Sequence, residues 1–199
     1  QRTVARSCCA WRCGEGRRDG PLWNRRNPVR FAPLTAALLR RELFARVGGL
    51  DELFGSYLED VDFGLRCALA GCHGIFEPAA VAFHAGSATL GDWSAEKVRL
   101  VARNQVLLAA KHYPAHWVRR YGWPFLAGQV LWGLLALTRG RGAAWLAGKR
   151  DGLRLWRNAR NSGNDLGICD LLAQSEKEIL QLQKASGFDM YWRLYFTLT

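Results

Sequence analysis

At 199 residues the chain has room for one domain, or one domain with an appendage. Nearly half of it (49%) is apolar, which excludes an intrinsically disordered chain and requires a packed core. A net charge of +11 with nine tryptophans points toward polyanions, whether nucleic acid, an anionic membrane face or phosphorylated substrates.

Residues 1–28 are rich in Arg, Gly and Cys without a steady period and read as an irregular basic lead-in. Cys8, Cys9 and Cys13 cluster there, while Cys67, Cys72 and Cys169 are scattered. No second pair stands at zinc-ligand spacing and no signal-type segment opens the chain, so free thiols in a reducing compartment are expected. The start at Gln1 rather than Met leads us to expect a piece of a longer polypeptide.

Val29-Arg30-Phe31-Ala32-Pro33 has the texture of a short strand halted by proline. Leu38 to Val47 follows as a short helix, with Leu39, Leu43, Phe44 and Val47 at spacings of three and four, stopped by Gly48-Gly49. Glu59 to Cys72 is the clearest helix, placing Val61, Leu65, Ala68, Leu69 and Cys72 on one face with Gly71 as its cap. Ile75 to Pro78 and Ala80 to His84 read as two extended segments, and a small-residue loop follows over 85–91. Ser94 caps a long helix that runs to His112 and ends before Pro114.

Beyond Pro114 the character shifts. Tyr121 to Leu137 is mostly apolar and uncharged, flanked by Arg119-Arg120, Arg139 and Arg141, and is short for a spanning helix. Ala143 to Arg160 is helical in composition and basic. A last helix runs from about Asp165 to Ser186, ending at Gly187; Ser175 and Glu178, although at capping-box spacing, fall inside it.

The chemistry concentrates at Glu59-Asp60-Val61-Asp62. A carboxylate at the first turn of a helix is held rigidly and projects into a cleft, as a general base must. The same acids also suit the helix dipole, and Asp62 and Arg66 stand at ion-pair spacing, so spacing alone leaves both readings open. Asp60-Val61-Asp62 matches a D-x-D metal–nucleotide pattern, but its place at a helix start rather than a strand end makes that match accidental. Arg99 and Arg103, one helical turn apart, suit either diphosphate oxygens or a solvated face.

Several linked stretches decide between these readings. They are Ala37-Leu38-Leu39-Arg40-Arg41-Glu42-Leu43-Phe44, then Val47-Gly48-Gly49-Leu50-Asp51-Glu52-Leu53-Phe54, then Tyr57-Leu58-Glu59-Asp60-Val61-Asp62-Phe63-Gly64-Leu65-Arg66. Ala70-Gly71 and Pro78-Ala79-Ala80-Val81-Ala82-Phe83-His84 complete the series. Together, from about Val29 to Pro114, they resemble the C-terminal, acceptor-side half of family 2 glycosyltransferases of GT-A fold. The likeness is to bacterial rhamnosyltransferase-like enzymes of surface polysaccharide synthesis.

The resemblance implies an α/β architecture, a partial GT-A (Rossmann-like) glycosyltransferase domain over 29–114, followed by a mostly helical, Trp-rich extension over 115–199. It implies that Asp60 is the general base on the acceptor hydroxyl and that Glu59 orients base or acceptor. It implies that His84 helps bind a divalent metal (Mg2+ or Mn2+) or the donor diphosphate, although by itself a lone histidine after an extended segment is more often a plain surface or core residue. Asn104, in an Arg-Asn pair after the loop, joins Arg99 and Arg103 as a candidate for binding the nucleotide-sugar. The family's small-residue turn is replaced by Ala32-Pro33-Leu34-Thr35-Ala36, and its N-terminal nucleotide-binding half with the D-x-D site is not found in this sequence. On this reading the chain is a fragment without activity of its own.

The Trp, Leu and Arg of 115–160 read either as a platform on an anionic membrane surface or as a helical extension packed on the catalytic part. The expected setting is cytoplasmic, peripheral at the inner face of the plasma membrane, with a saccharide or lipid-linked acceptor. A non-catalytic scaffolding module derived from a glycosyltransferase is the competing reading. A nucleic-acid binder is disfavoured, because no helix-turn-helix, finger or RNP-like signature accompanies the charge.

Overall fold

The computed structural model describes residues 2–84, 90–114, 116–160 and 167–199. Its first elements correct the expectation of an irregular lead-in. Strands β1 (Arg2–Val4) and β2 (Ala10–Arg12) pair antiparallel, with Arg2 opposite Arg12 and Val4 opposite Ala10. The turn between them closes through Cys8 N–H to Ala5 O at 2.9 Å and Ala5 N–H to Cys9 O at 3.0 Å. Strands of three residues are too short to display an alternation, which is why the segment shows no period. Val4, Ala5, Cys8, Cys9 and Trp11 are buried, so this basic stretch supplies core. All six cysteines are free, and burial pushes the Cys8 thiol up to about 12, far from a thiolate at neutral pH.

Strand β3 (Asn27–Val29) starts two residues earlier than expected and pairs antiparallel with β4 (Gly74–Phe76). Phe31, just beyond β3, is bridged to the first hairpin by Arg2 N–H to Phe31 O at 2.9 Å. The second expected extended segment, Ala80 to His84, forms no strand and is exposed. A turn at Pro78-Ala79, closed by Ala80 N–H to Glu77 O at 3.0 Å, leads the chain off the β4 edge, and Pro78 has no N–H to offer a ladder. Most of the loop expected over 85–91 lies outside the described residues.

Helix α1 (Arg41–Val47) begins three residues later than expected, after a fully exposed Leu38. It leans on α2 (Glu59–Leu69) through the rings of Phe44 and Phe63, 5.4 Å apart. Helix α2 is buried around most of its girth rather than on one stripe. Gly64 permits this: a Cβ there would come 2.8 Å from the Phe31 ring. The helix ends in a Schellman cap, with Gly71 at φ +71°, Cys72 N–H to Cys67 O at 2.8 Å and Gly71 N–H to Ala68 O at 3.0 Å.

Helix α3 (Ala95–His112) starts where Ser94 Oγ accepts Lys97 N–H at 3.1 Å. Then come α4 (Trp117–Thr138), α5 (Gly142–Arg154) and the short α6 (Trp156–Ala159). Helices α3 and α5 form the most extensive helix pair, and glycine sets their separation. A Cβ on Gly148 would sit 2.2 Å from Arg99 O, and one on Gly152 would sit 2.8 Å from Arg103 O.

Helix α7 (Gly167–Ser186) runs along β1, with Ser175 Oγ accepting Val4 N–H at 2.8 Å and Glu176 accepting Arg6 N–H at 2.8 Å. Ser175 therefore stands mid-helix. Helix α8 (Met190–Leu198) packs beside α4. One apolar cluster runs from Val4 through Phe31, Phe54, Leu65 and Leu108 to Leu172, so hairpin, α/β part and helical extension share a core. Among the described residues no helix is long and apolar enough to cross a membrane.

Candidate active site

The site is built on the loop that enters α2. Tyr57 (φ 71°) and Leu58 (φ 65°) are two consecutive non-glycine residues in the left-handed region, a conformation that costs roughly 1 kcal/mol or more each. Asn104 from α3 holds them there. Its buried side-chain amide donates to Phe54 O at 2.9 Å, to Ser56 O at 3.0 Å and to Tyr57 O. Arg103 fixes the amide, donating from Nε to Asn104 Oδ1 at 2.8 Å and from Nη2 to Phe54 O. Phe54 and Leu58, both buried, anchor the loop from below.

This clamp delivers the three acids in different states. Asp60 is buried; its Oδ1 accepts Arg2 Nη1–H at 2.9 Å and Val61 N–H at 2.9 Å. Among the described residues nothing hydrogen-bonds its second oxygen, Oδ2. Glu59 has one carboxylate oxygen buried without a partner. Burial is the main reason its carboxyl is raised above the ordinary range, with the charge of Asp60 adding to it.

Asp62 is fully committed. It pairs with Arg66 at 3.0 Å, Lys111 at 2.9 Å and His112 Nε2 at 2.8 Å, completely out of solvent. Burial would raise its carboxyl, but the hydrogen bond and charge of His112 and the charge of Lys111 prevail and bring it to about 2. Arg66 also donates to Gly49 O at 2.7 Å and to Val47 O, tying α2 to the Val47-Gly48-Gly49 turn.

A cavity of about 430 Å³ lies between α3 and α5, lined by Arg99, Arg103, Arg154, Glu96, Asp151 and two leucines. Arg99 is half-exposed and pairs with Asp151 at 2.6 Å. Burial, then the charge of Arg99, lower the Arg103 guanidinium from its ordinary value. Arg103 therefore belongs both to this groove and to the loop clamp, whereas Asn104 faces the loop alone. His84 is exposed and has no hydrogen bond or ion pair among the described residues. Among those residues no group of three or more His, Cys, Asp or Glu side chains gathers to hold a metal. With Asp60 and Asp62 both turned to cations, the residues present do not fit a complete divalent site.

One participant has no local signal in the sequence. Arg2 falls in an aperiodic segment, and tertiary contacts, among them the backbone bridge between Arg2 and Phe31, bring its side chain to α2.

The strained loop clamped by Asn104 and Arg103 thus carries the acids of α2, and Arg103 joins it to the arginine-lined groove between α3 and α5. Residues 17–147 match the family model described as glycosyl transferase family group 2, and the chain belongs to that family. It is 29% identical over 96 residues to the N-acetylglucosaminyl-diphospho-decaprenol L-rhamnosyltransferase of Mycobacterium tuberculosis, equally in strains CDC 1551 / Oshkosh and ATCC 25618 / H37Rv. The aligned region covers 48% of this chain and 31% of each relative, so the chain spans about a third of their length. No solved structure matches.

Proposed function

We propose that this chain is the acceptor-side part of an inverting glycosyltransferase of cell-envelope polysaccharide synthesis, with Asp60 as general base. The observation that carries the reading is the Asp60 carboxylate, with Oδ1 held by Arg2 and the Val61 amide and Oδ2 unengaged among the described residues. The acceptor hydroxyl gives its proton to Oδ2 as its oxygen attacks the anomeric carbon of a nucleotide-sugar. The bond from that carbon to the diphosphate breaks, and the negative charge leaves with the nucleoside diphosphate.

Glu59 orients the acceptor or the base. Arg99 and Arg103 meet the diphosphate from the groove, exchanging part of the Asp151 pairing for phosphate oxygens. Asn104 contributes by holding the loop. A divalent ion in the complete enzyme would draw its ligands chiefly from outside the described residues, and His84 is the contact this chain offers. The relatives' name specifies a diphospho-decaprenol-linked acceptor, which supports a lipid-linked acceptor here; a peripheral place on the cytoplasmic membrane face is part of the same proposal.

The test is Asp60→Asn in the full-length enzyme, following sugar transfer and donor binding separately. Transfer is expected to fall at least about a thousandfold with donor affinity retained, a loss on the scale of removing a base together with its charge. Turnover near that of the parent would remove Asp60 from the role. The chain of 199 residues alone is expected to transfer nothing, and measurable turnover by it would overturn its reading as a fragment.

A further inference from the structure

Helix α4 is apolar on both faces, one packed on the cores and one exposed. Its inward face packs Tyr121, Phe125, Leu131 and Trp132 into the cores, with Ala127, Gly128, Gln129 and Ala136 buried between them. Gln129 donates to Ser7 O, and a Cβ on Gly128 would meet the Ser7 side chain at 2.2 Å. Its outward face, from Tyr121 to Leu137, exposes only large apolar side chains: Trp123, Leu126, Val130, Leu134 and Leu137. They recur at three- and four-residue spacing and are between 46% (Val130) and 64% (Leu137) exposed. At 1.5 Å per residue the stripe is roughly 21 Å long.

Helix α8 widens it. Tyr191 Oη–H donates to Gly128 O at 3.1 Å and Trp123 Nε1–H to Leu198 O at 2.7 Å, joining the two helices. The exposed Leu194 and Leu198 continue the apolar surface along α8. Contiguous apolar exposure on this scale marks a contact surface rather than ordinary protein exterior.

Charge chooses the partner. Arg119 precedes the stripe and Arg139 and Arg141 follow it, all exposed, with Arg193 exposed on α8. No Asp or Glu occurs between Glu96 and Asp151, and none occurs in α8. A protein partner for a purely apolar stripe needs no such exclusion of acids, whereas a bilayer bearing phosphates does.

We propose that the outward faces of α4 and α8 lie in the headgroup–acyl boundary of an anionic bilayer, with the axis of α4 in the membrane plane. Trp123 and the leucines enter the boundary while the arginines at both ends rest on lipid phosphates. The inference rests on the membrane-surface reading above and names the residues that carry it.

Flotation of the purified chain with phosphatidylcholine vesicles, with and without phosphatidylglycerol, tests it. The parent chain is expected to float with the anionic vesicles and to be released by salt. The double variant Val130→Glu/Leu134→Glu should partition roughly tenfold less, because two charges enter the boundary. Leu153→Glu, an equally exposed leucine on α5, should change nothing. The substituted side chains already face outward, and an unchanged circular dichroism spectrum checks that each variant is folded. A parent chain that stays with the soluble fraction overturns the membrane reading itself. A parent chain that floats as well as its double variant overturns only the choice of face. A vesicle-independent dimer abolished by the double substitution assigns the face to a second copy and overturns the proposal. Flotation uses no sugar donor, so none of these outcomes bears on Asp60 as base.

Discussion

Arg2 Nη1 lies 2.9 Å from Asp60 Oδ1, joining residues 58 positions apart through the edge of the first hairpin. The pair is nearly excluded from solvent, with side chains 12% and 6% exposed. Desolvation lowers the Arg2 guanidinium from its ordinary value, and the Asp60 charge works against that loss. The contact fixes one carboxylate oxygen and with it the direction of the other. Arg2 is thus a positioning residue on the proposed mechanism. In the full-length enzyme Arg2→Gln is expected to lower kcat about tenfold while changing the acceptor KM less than about twofold, the pattern of an interaction used in the transition state. Arg2→Lys should recover part of the loss, since it restores the charge but not the planar fork. Steady-state kinetics of both variants check this; a change confined to KM would assign Arg2 to acceptor binding instead.

Asp60 and Asp62 are two residues apart and should fail in opposite ways. Asp60→Asn keeps an oxygen that can accept from Arg2, so its cost in stability is about 1–2 kcal/mol while transfer is lost. Asp62→Asn removes the fully buried carboxylate that pairs with Arg66 and Lys111 and hydrogen-bonds His112. Breaking such a network costs about 3–5 kcal/mol. Urea unfolding of the two variants should therefore rank them in the reverse order of their transfer assays. Equal stabilities would remove Asp62 from its structural role.

How far the sequence foretells this site depends on how local each cause is. Ser94, Gly71 and the apolar periodicity of α2 act within one or two turns, so the α3 start and the α2 cap are legible from the residues alone. The acids of α2 are legible in place but not in role, because dipole compensation, base and ion pair share one spacing. What separates them is tertiary: Arg2 comes from the hairpin, Lys111 and His112 from the far end of α3. Asn104 is legible as a member of an Arg-Asn pair, yet its work on the carbonyls of 54–57 depends on how α3 crosses the loop. The exposed apolar face of α4 escapes a periodicity reading, since large apolar residues stand on both faces and Gln129 and the glycines lie inside, which removes the contrast that such a reading uses.

The groove between α3 and α5 depends on two glycines. Gly148→Ala would place a Cβ 2.2 Å from Arg99 O, a backbone atom that cannot turn aside. The helices must separate, at a cost of about 2–3 kcal/mol for overpacking. The Arg99–Asp151 pair would open with them. In the full-length enzyme the expected result is weaker binding of nucleoside diphosphate together with a lower melting temperature. Calorimetric titration of the ligand checks it, and unchanged affinity in a destabilised variant would separate the groove from the diphosphate.

Acid stability should carry the signature of Asp62. Its carboxyl stands at about 2 in the folded chain against an ordinary 3.8. Between those values the unfolded chain binds more protons than the folded one, so stability falls as pH falls. The contribution is fully present above about pH 4 and is lost through about pH 2, with a total on the order of 2 kcal/mol. Asp62→Asn, already weaker at neutral pH, should lose this share of the acid dependence, so the gap between it and the parent narrows as pH drops from about 5 to about 3. Urea unfolding at those two pH values measures the gap directly. A gap that stays constant would mean that the Asp62 proton is not linked to folding, and that Arg66, Lys111 and His112 do not hold its charge.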